Sequence, residues 1–313
     1  MDAPGDLASL LVTGERAAFH GKPGAAVAAL EQAVALARAE GRAAETAAAG
    51  WLLGVALGAG GRYGGALTVL SPLVDAGRAP GAVAEARLFA ALSAATIASV
   101  HRQLGRHAVA RASDLEALAL GEGSAEAGFD AVLGLASDAV GLGDVAEATD
   151  RLAEARTLVP PRAAEWWRQR VRLGWGEAEL QLLEGDPETA VQTALEAVDR
   201  AESARAPRHV AKGLLILGLA QVSGGIALDA VGDGEPAGTL RRAATLAESL
   251  GTLPLVWPAR ALLGALVAED DAEESARSLS AARSAALTIA GDLPPGVRAE
   301  FLSRPDLATL LQG

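Results

Sequence analysis

One short grammar recurs along this chain and limits what it can fold into. A glycine is followed five residues later by an alanine, and twelve residues later by another small residue. The sets are Gly21 with Ala26 and Ala33, Gly61 with Ala66 and Leu73, and Gly105 with Ala110 and Ala117. Gly143 with Ala148 and Ala155, Gly185 with Ala190 and Ala197, and Gly232 with Ala237 and Ala244 continue the series, in which only Leu73 is large. A weaker seventh set, Asp271 with Ala276, follows, and successive anchors lie 38 to 47 residues apart. About a quarter of the chain is alanine, well above ordinary usage, yet six agreements at two offsets exceed what that abundance supplies. Two small side chains seven residues apart lie on one helical face, where a neighbouring helix can approach closely. A period of this length means stacked helical hairpins, each unable to bury its apolar face without its neighbours.

The clearest turn is Glu184-Gly185-Asp186-Pro187, between one helix ending after Leu180 and another beginning near Glu188. Gly185 can take the positive φ that closes a helix, Asp186 can accept from the free N–H groups of the next, and Pro187 suits a first helical position.

Within the first helices, Thr13-Gly14, Leu53-Gly54 and Leu263-Gly264 each end seven residues before their anchors, while Ile97-Ala98, Leu135-Ala136 and Glu177-Ala178 are degenerate forms. At these residues the chain resembles the tetratricopeptide repeat family, which has a Leu-Gly pair in the first helix, a turn glycine and small residues on the second helix. The spacing is longer than the usual 34 residues. Repeats of this longer kind resemble the sensory regions of large bacterial transcriptional regulators, and Gly291-Asp292-Leu293-Pro294 through Phe301-Leu302 is similar to the close of such arrays. The expected fold is therefore all-α, a right-handed α-solenoid of about seven hairpins forming a single domain over residues 1–313. Its repeats fall near 6–40, 43–77, 81–120, 124–159, 161–205, 207–250 and 254–290, and residues 291–313 form a helical cap. Pro72 is expected to bend or split its helix, since it removes a hydrogen bond. The glycine-rich stretch Ser223 to Pro236 interrupts the period, and is expected to be the least regular part between the termini.

Composition narrows the function. Only 3% of residues are aromatic although half are apolar, so the core must be built from Ala, Leu and Val on closely spaced helices. A net charge of −12 opposes binding to nucleic acid or an anionic membrane. The chain holds no cysteine, which excludes disulfides and thiolate chemistry and leaves the redox compartment open; because the N-terminal stretch lacks a basic signal-peptide start and no uncharged run reaches bilayer length, a cytoplasmic protein is expected. The four histidines, His20, His101, His107 and His209, never pair at i+3 or i+4, so no helical metal site is visible. Each is expected to be a solvated or capping residue. The only lysines, Lys22 and Lys212, lie in no phosphate loop, and Glu269-Asp270-Asp271 lacks calcium-loop spacing. No cofactor or metal is expected.

One stretch stands out. Glu165 to Trp175 holds three of the five tryptophans and three arginines. One arrangement packs Trp167, Val171 and Gly174 inward with the arginines outside. The family resemblance implies another: groove-lining positions six and three residues before the pair's glycine, and one after it, are here Arg172, Trp175 and Glu179. The flanking repeats supply Trp51, Asp130, Leu133 and Lys212, with Arg102 one turn further along. Two functional classes lead. The first is a non-enzymatic adaptor or regulatory scaffold binding a peptide or protein segment, with Trp51 and Trp175 as anchors and Arg172 or Lys212 meeting an acidic group. The second is a small-molecule effector sensor or carrier using the same groove. An enzyme ranks third, because no nucleophile–base pair or cofactor fingerprint is visible.

Overall fold

The turn at Gly185 shows how the chain builds its hairpins. In the computed structural model, which describes residues 6–161, 163–227 and 235–312, Gly185 takes φ 79° and closes one helix. Asp186 Oδ1 then accepts from Thr189 N at 3.1 Å, and Pro187 opens the next. The described residues form helices α1 (Leu7–His20), α2 (Pro23–Ala39), α3 (Ala43–Ala59), α4 (Tyr63–Arg78), α5 (Ala84–Gln103), α6 (His107–Leu120), α7 (Ala125–Leu142) and α8 (Val145–Leu158). A 3-10 turn at Ala164–Trp166 leads into α9 (Trp167–Glu184), α10 (Pro187–Ser203), α11 (Pro207–Gly224), α12 (Pro236–Leu250), α13 (Leu253–Leu266), α14 (Ala272–Gly291), α15 (Pro295–Leu302) and α16 (Pro305–Gln312). No strand occurs among the described residues.

Contacts divide the chain into two compact units, one ending at Leu135 and one beginning at Ala136. In the first, consecutive helices pack as antiparallel neighbours, and α3 also lies beside α1 and α5. In the second, α11 lies beside α9 and α13, while α10 and α12 pack between them in sequence. Close approach is set by the small residues: Ala26, Ala33, Ala66, Ala110, Ala117, Ala148, Ala155, Ala190, Ala197 and Ala244 are all fully buried. The pair glycines do complementary work, since a Cβ on Gly14 or Gly54 would overlap Leu30 or Leu70 of the following helix. Leu73, the exception at the twelfth position, lies opposite Gly50, whose missing side chain makes room for it.

Four expectations need correction or limitation. Pro72 does not split its helix: α4 runs unbroken from Tyr63 to Arg78, because Pro72 is on its exposed side, where water can satisfy the carbonyl it orphans. In the seventh repeat Ala276 is exposed and Ser275 is buried in its place. Asp271 is not a turn residue like the anchoring glycines but an N-cap, accepting from Glu274 N at 2.8 Å, so the frame is shifted by one residue. In the fifth repeat the helix proper begins at Trp167, and Arg170 ties down the preceding segment by donating to the Ala163 and Pro160 carbonyls at 2.6 and 2.5 Å. The interruption expected over Ser223 to Pro236 lies largely outside the described residues; within them, α11 ends at Gly225 in the left-handed conformation.

Candidate functional site

In the second unit, Arg168, Arg172, Trp175 and Glu179 follow one another along α9 at helical spacing and share one face. Beside it, α11 presents Arg208, His209 and Lys212. The two helices are joined at one end of this face by Lys212 Nζ donating to Glu179 Oε1 at 2.8 Å. Between them, the Trp175 ring stacks on His209 with centroids 5.5 Å apart and planes inclined by 22°. Trp167 meets the same imidazole edge-on at 5.0 Å. Trp175 is half-buried, packed against the core cluster around Val171, Val198 and Leu214, and Gly213 leaves it space. Its indole Nε1 is shielded from solvent and has no hydrogen-bond acceptor among the described residues.

His209 corrects an expectation. It is 2% exposed rather than solvated, because the first turn of α11 packs directly onto α9 and carries the imidazole between two indoles.

Arg208 is the second residue of α11 and Arg168 the second residue of α9, so each guanidinium sits in a first helical turn, where the helix dipole is positive. Burial first, and then repulsion by Arg168 and Arg172, pulls the pKa of Arg208 down to about 10. Its Nε is shielded and has no acceptor among the described residues. Lys212, by contrast, is matched by Glu179. This face therefore sets cationic side chains beside a flat aromatic shelf.

The remaining candidates belong to the first unit. Trp51, on α3, donates its indole N–H to Thr96 Oγ1 at 3.2 Å and lies 6.3 Å from the Phe89 ring, so its polar end is satisfied internally. Arg102 pairs with the fully buried Asp114 and also donates to the Gly134 carbonyl at 3.3 Å. Asp130 and Leu133 are buried. The structure thus brings Arg172, Trp175, Glu179 and Lys212 together on α9 and α11, and gives Arg102 an internal partner. Sequence reasoning passed over Arg168, Arg208, His209 and Asp114. The repeat frame held signals for three of them. Arg168 and Arg208 stand at one position, ten residues before Ala178 and Gly218, and Asp114 stands where the first, second and fourth repeats have Leu30, Leu70 and Leu152.

The first unit also contains a largely apolar cavity of about 530 Å³, walled by Ala43, Ala47, Leu73, Val83 and Phe89 among others. Among the described residues no group of His, Cys, Asp or Glu could hold a metal ion, and no helix is long and apolar enough to cross a membrane.

No family model matches the chain, and no curated protein matches it in sequence. Among solved structures it is similar to a Rap protein complexed with competence and sporulation factor, with a TM-score of 0.62 and 12% identity. That match covers 99% of this chain and 89% of the other. The apo form of RapI matches with a TM-score of 0.46 and 11% identity, over 98% of this chain and 84% of its own. At such identity the likeness to the first structure is one of fold, and this chain shares the all-helical repeat architecture of that Rap protein.

Proposed function

We propose that this protein is a non-enzymatic adaptor or regulatory scaffold that binds a peptide or a segment of a partner protein on the face made by α9 and α11. The observation that carries the reading is the Trp175–His209 stack, which sets a rigid aromatic shelf beside Arg168, Arg172 and Arg208. Aromatic and arginine side chains in a desolvated setting are the usual anchors of protein interfaces. The fold likeness to a Rap protein that was crystallised with a factor bound supports a regulatory binding role. A place beside the sensory repeats of large bacterial regulators, in a soluble cytoplasmic protein organised as one repeat domain, fits the same reading. Panning a random peptide library on the immobilised protein tests it. Enriched peptides should lose affinity by tenfold or more with Trp175→Leu, which keeps apolar bulk but removes the ring, while the melting temperature holds within a few degrees. Peptides that bind Trp175→Leu as tightly as the parent protein would remove the α9/α11 face from the account.

A second reading, a small-molecule effector site, is favoured by the cavity in the first unit. Its volume of about 530 Å³ and its apolar walls suit a drug-sized ligand. It lies apart from the positions that the repeat frame marks for a groove, and it offers few convergent polar groups. A screen of apolar effectors by thermal shift, read against Ala47→Leu to fill the cavity, separates this reading from the first.

A further inference from the structure

We infer that the cavity in the first unit receives a small apolar zwitterion of the amino-acid class, held between Arg38 and Glu85, an inference that rests on the small-molecule reading above.

The cavity combines an apolar body with two charges. Ala47 of α3, Leu73 of α4, and Ala86 and Phe89 of α5 are half-buried and supply its walls. Val83, the N-cap of α5, also lines it and is 65% exposed. A volume of about 530 Å³ is far larger than a water or an ion needs and lies in the range of organic ligands. Helical proteins normally close such a gap by packing, so apolar walls left open to water are a cost that a bound apolar body removes.

Arg38 and Glu85 are the two ionisable side chains in the lining, one of each sign, and both are exposed, which places them where the cavity meets solvent. Neither makes an ion pair or a side-chain hydrogen bond among the described residues, whereas the neighbouring Arg42 pairs with Glu45 at 2.6 Å and with Glu40 at 3.6 Å. Thr46, the other polar side chain in the lining, is already used, since its hydroxyl donates to the Arg42 carbonyl at 2.8 Å. Each charge suits the dipole of its own helix, with Arg38 in the last turn of α2 and Glu85 in the first turn of α5. Helix dipoles account for the two signs but leave the open apolar cavity between them unexplained.

A ligand that completes all three features has an apolar body, a carboxylate for the Arg38 guanidinium fork and an ammonium for Glu85. The first turn of α3 has no side-chain cap and its residues Ala43 and Ala44 line the cavity, so its free N–H groups reinforce the carboxylate end. A simple fatty acid leaves Glu85 unmatched, and a simple amine leaves Arg38 unmatched. A hydrophobic amino acid, or a dipeptide of such residues with free termini, matches both.

The test uses the full chain with isotope-labelled leucine and valine methyl groups, following the Leu73 and Val83 resonances assigned with Leu73→Ile and Val83→Ile. Phenylalanine and the dipeptide Leu-Phe are titrated at matched ionic strength, each beside its acetylated, amidated and doubly blocked forms. The inference expects saturable movement of both resonances with a free zwitterion and binding at least tenfold weaker for its doubly blocked form. Because exposed ion pairs contribute modestly, each single block should weaken binding about threefold or more. Arg38→Gln should remove the advantage over the amidated form alone, and Glu85→Gln the advantage over the acetylated form alone, a pattern that a merely structural role does not produce. Whichever parent compound binds more tightly identifies the source of the zwitterion. Doubly blocked compounds that bind as tightly as the free ones, and lose binding with Ala47→Leu, overturn the zwitterion and leave the small-molecule reading standing. Charge variants that keep the parent protein's preferences overturn the assignment to Arg38 and Glu85. Binding that survives Ala47→Leu overturns both the inference and the reading beneath it. Resonances that no compound moves overturn the inference, and the effector screen then decides the reading.

Discussion

Asp114 is the residue whose replacement should reveal most about how the first unit is held together. It lies nine residues after the turn at Gly105, where Leu30, Leu70 and Leu152 occupy the matching place in their repeats. Its carboxylate is completely buried against Gly134, where a Cβ would collide with it, and pairs with Arg102, whose side chain is 14% exposed. Asp114→Ala removes a counter-charge from the Arg102 guanidinium in a desolvated site beside the Gly134 carbonyl. Breaking a buried pair in this way costs about 3 to 5 kcal/mol. The double change Asp114→Leu with Arg102→Met restores the side chain used by the other repeats and removes both charges. It should recover the loss and leave the protein between about neutral and a few kcal/mol more stable than the parent. Chemical denaturation followed by circular dichroism on the four proteins of the cycle gives the coupling directly, which should exceed about 2 kcal/mol. A loss below about 1 kcal/mol for Asp114→Ala, or a double variant no better than the single one, would refute the claim that this pair is a compensated charge in a leucine's place.

Arg208→Met should stabilise the free protein, because burial holds the pKa of the guanidinium down at about 10. That depression would correspond to about 3 kcal/mol, and screening at a partly accessible site reduces it to about 1 or 2 kcal/mol, or a few degrees in a thermal melt. A lower melting temperature would contradict it. Arg205 has φ 51°, the left-handed conformation, at the turn between α10 and α11. Arg205→Gly should therefore gain about 1 kcal/mol by denaturation, and a loss would show that the side chain outweighs the strain. The hydrogen bond from Arg241 holds Glu274 below the ordinary 4.5, and Thr189 holds Asp186 below 3.8. Both contributions are present above those values and are lost as pH falls through the lowered folded-state pKa values, so melts between pH 5 and 8 should show no dependence from these groups.

The architecture was readable because its signals are local and repeated. A turn glycine, an N-cap such as Asp144 or Asp186 and a small residue on the next helix act within a few residues of one another, and each reappears in register. The frame failed where two signals were confused: Asp271 was taken as a turn when its physics is that of a cap, which moved the buried position from Ser275 to Ala276. The site was less legible. Arg172, Trp175, Glu179 and Lys212 follow from the repeat frame, but the stack of Trp175 on His209 does not, since it arises where His209 of one repeat meets Trp167 and Trp175 of the one before. Periodicity along a single helix carries no record of that meeting. Likewise Arg102 looks available in sequence, and only packing shows that Asp114 holds it.

A crystal structure with the most strongly enriched library peptide tests the central claim most directly. The account predicts the peptide along α9 and α11, with an apolar side chain on the Trp175 ring. A peptide seated elsewhere, as in the apolar cavity walled by Ala43, Leu73 and Phe89, with the Trp175 ring uncovered, would contradict it.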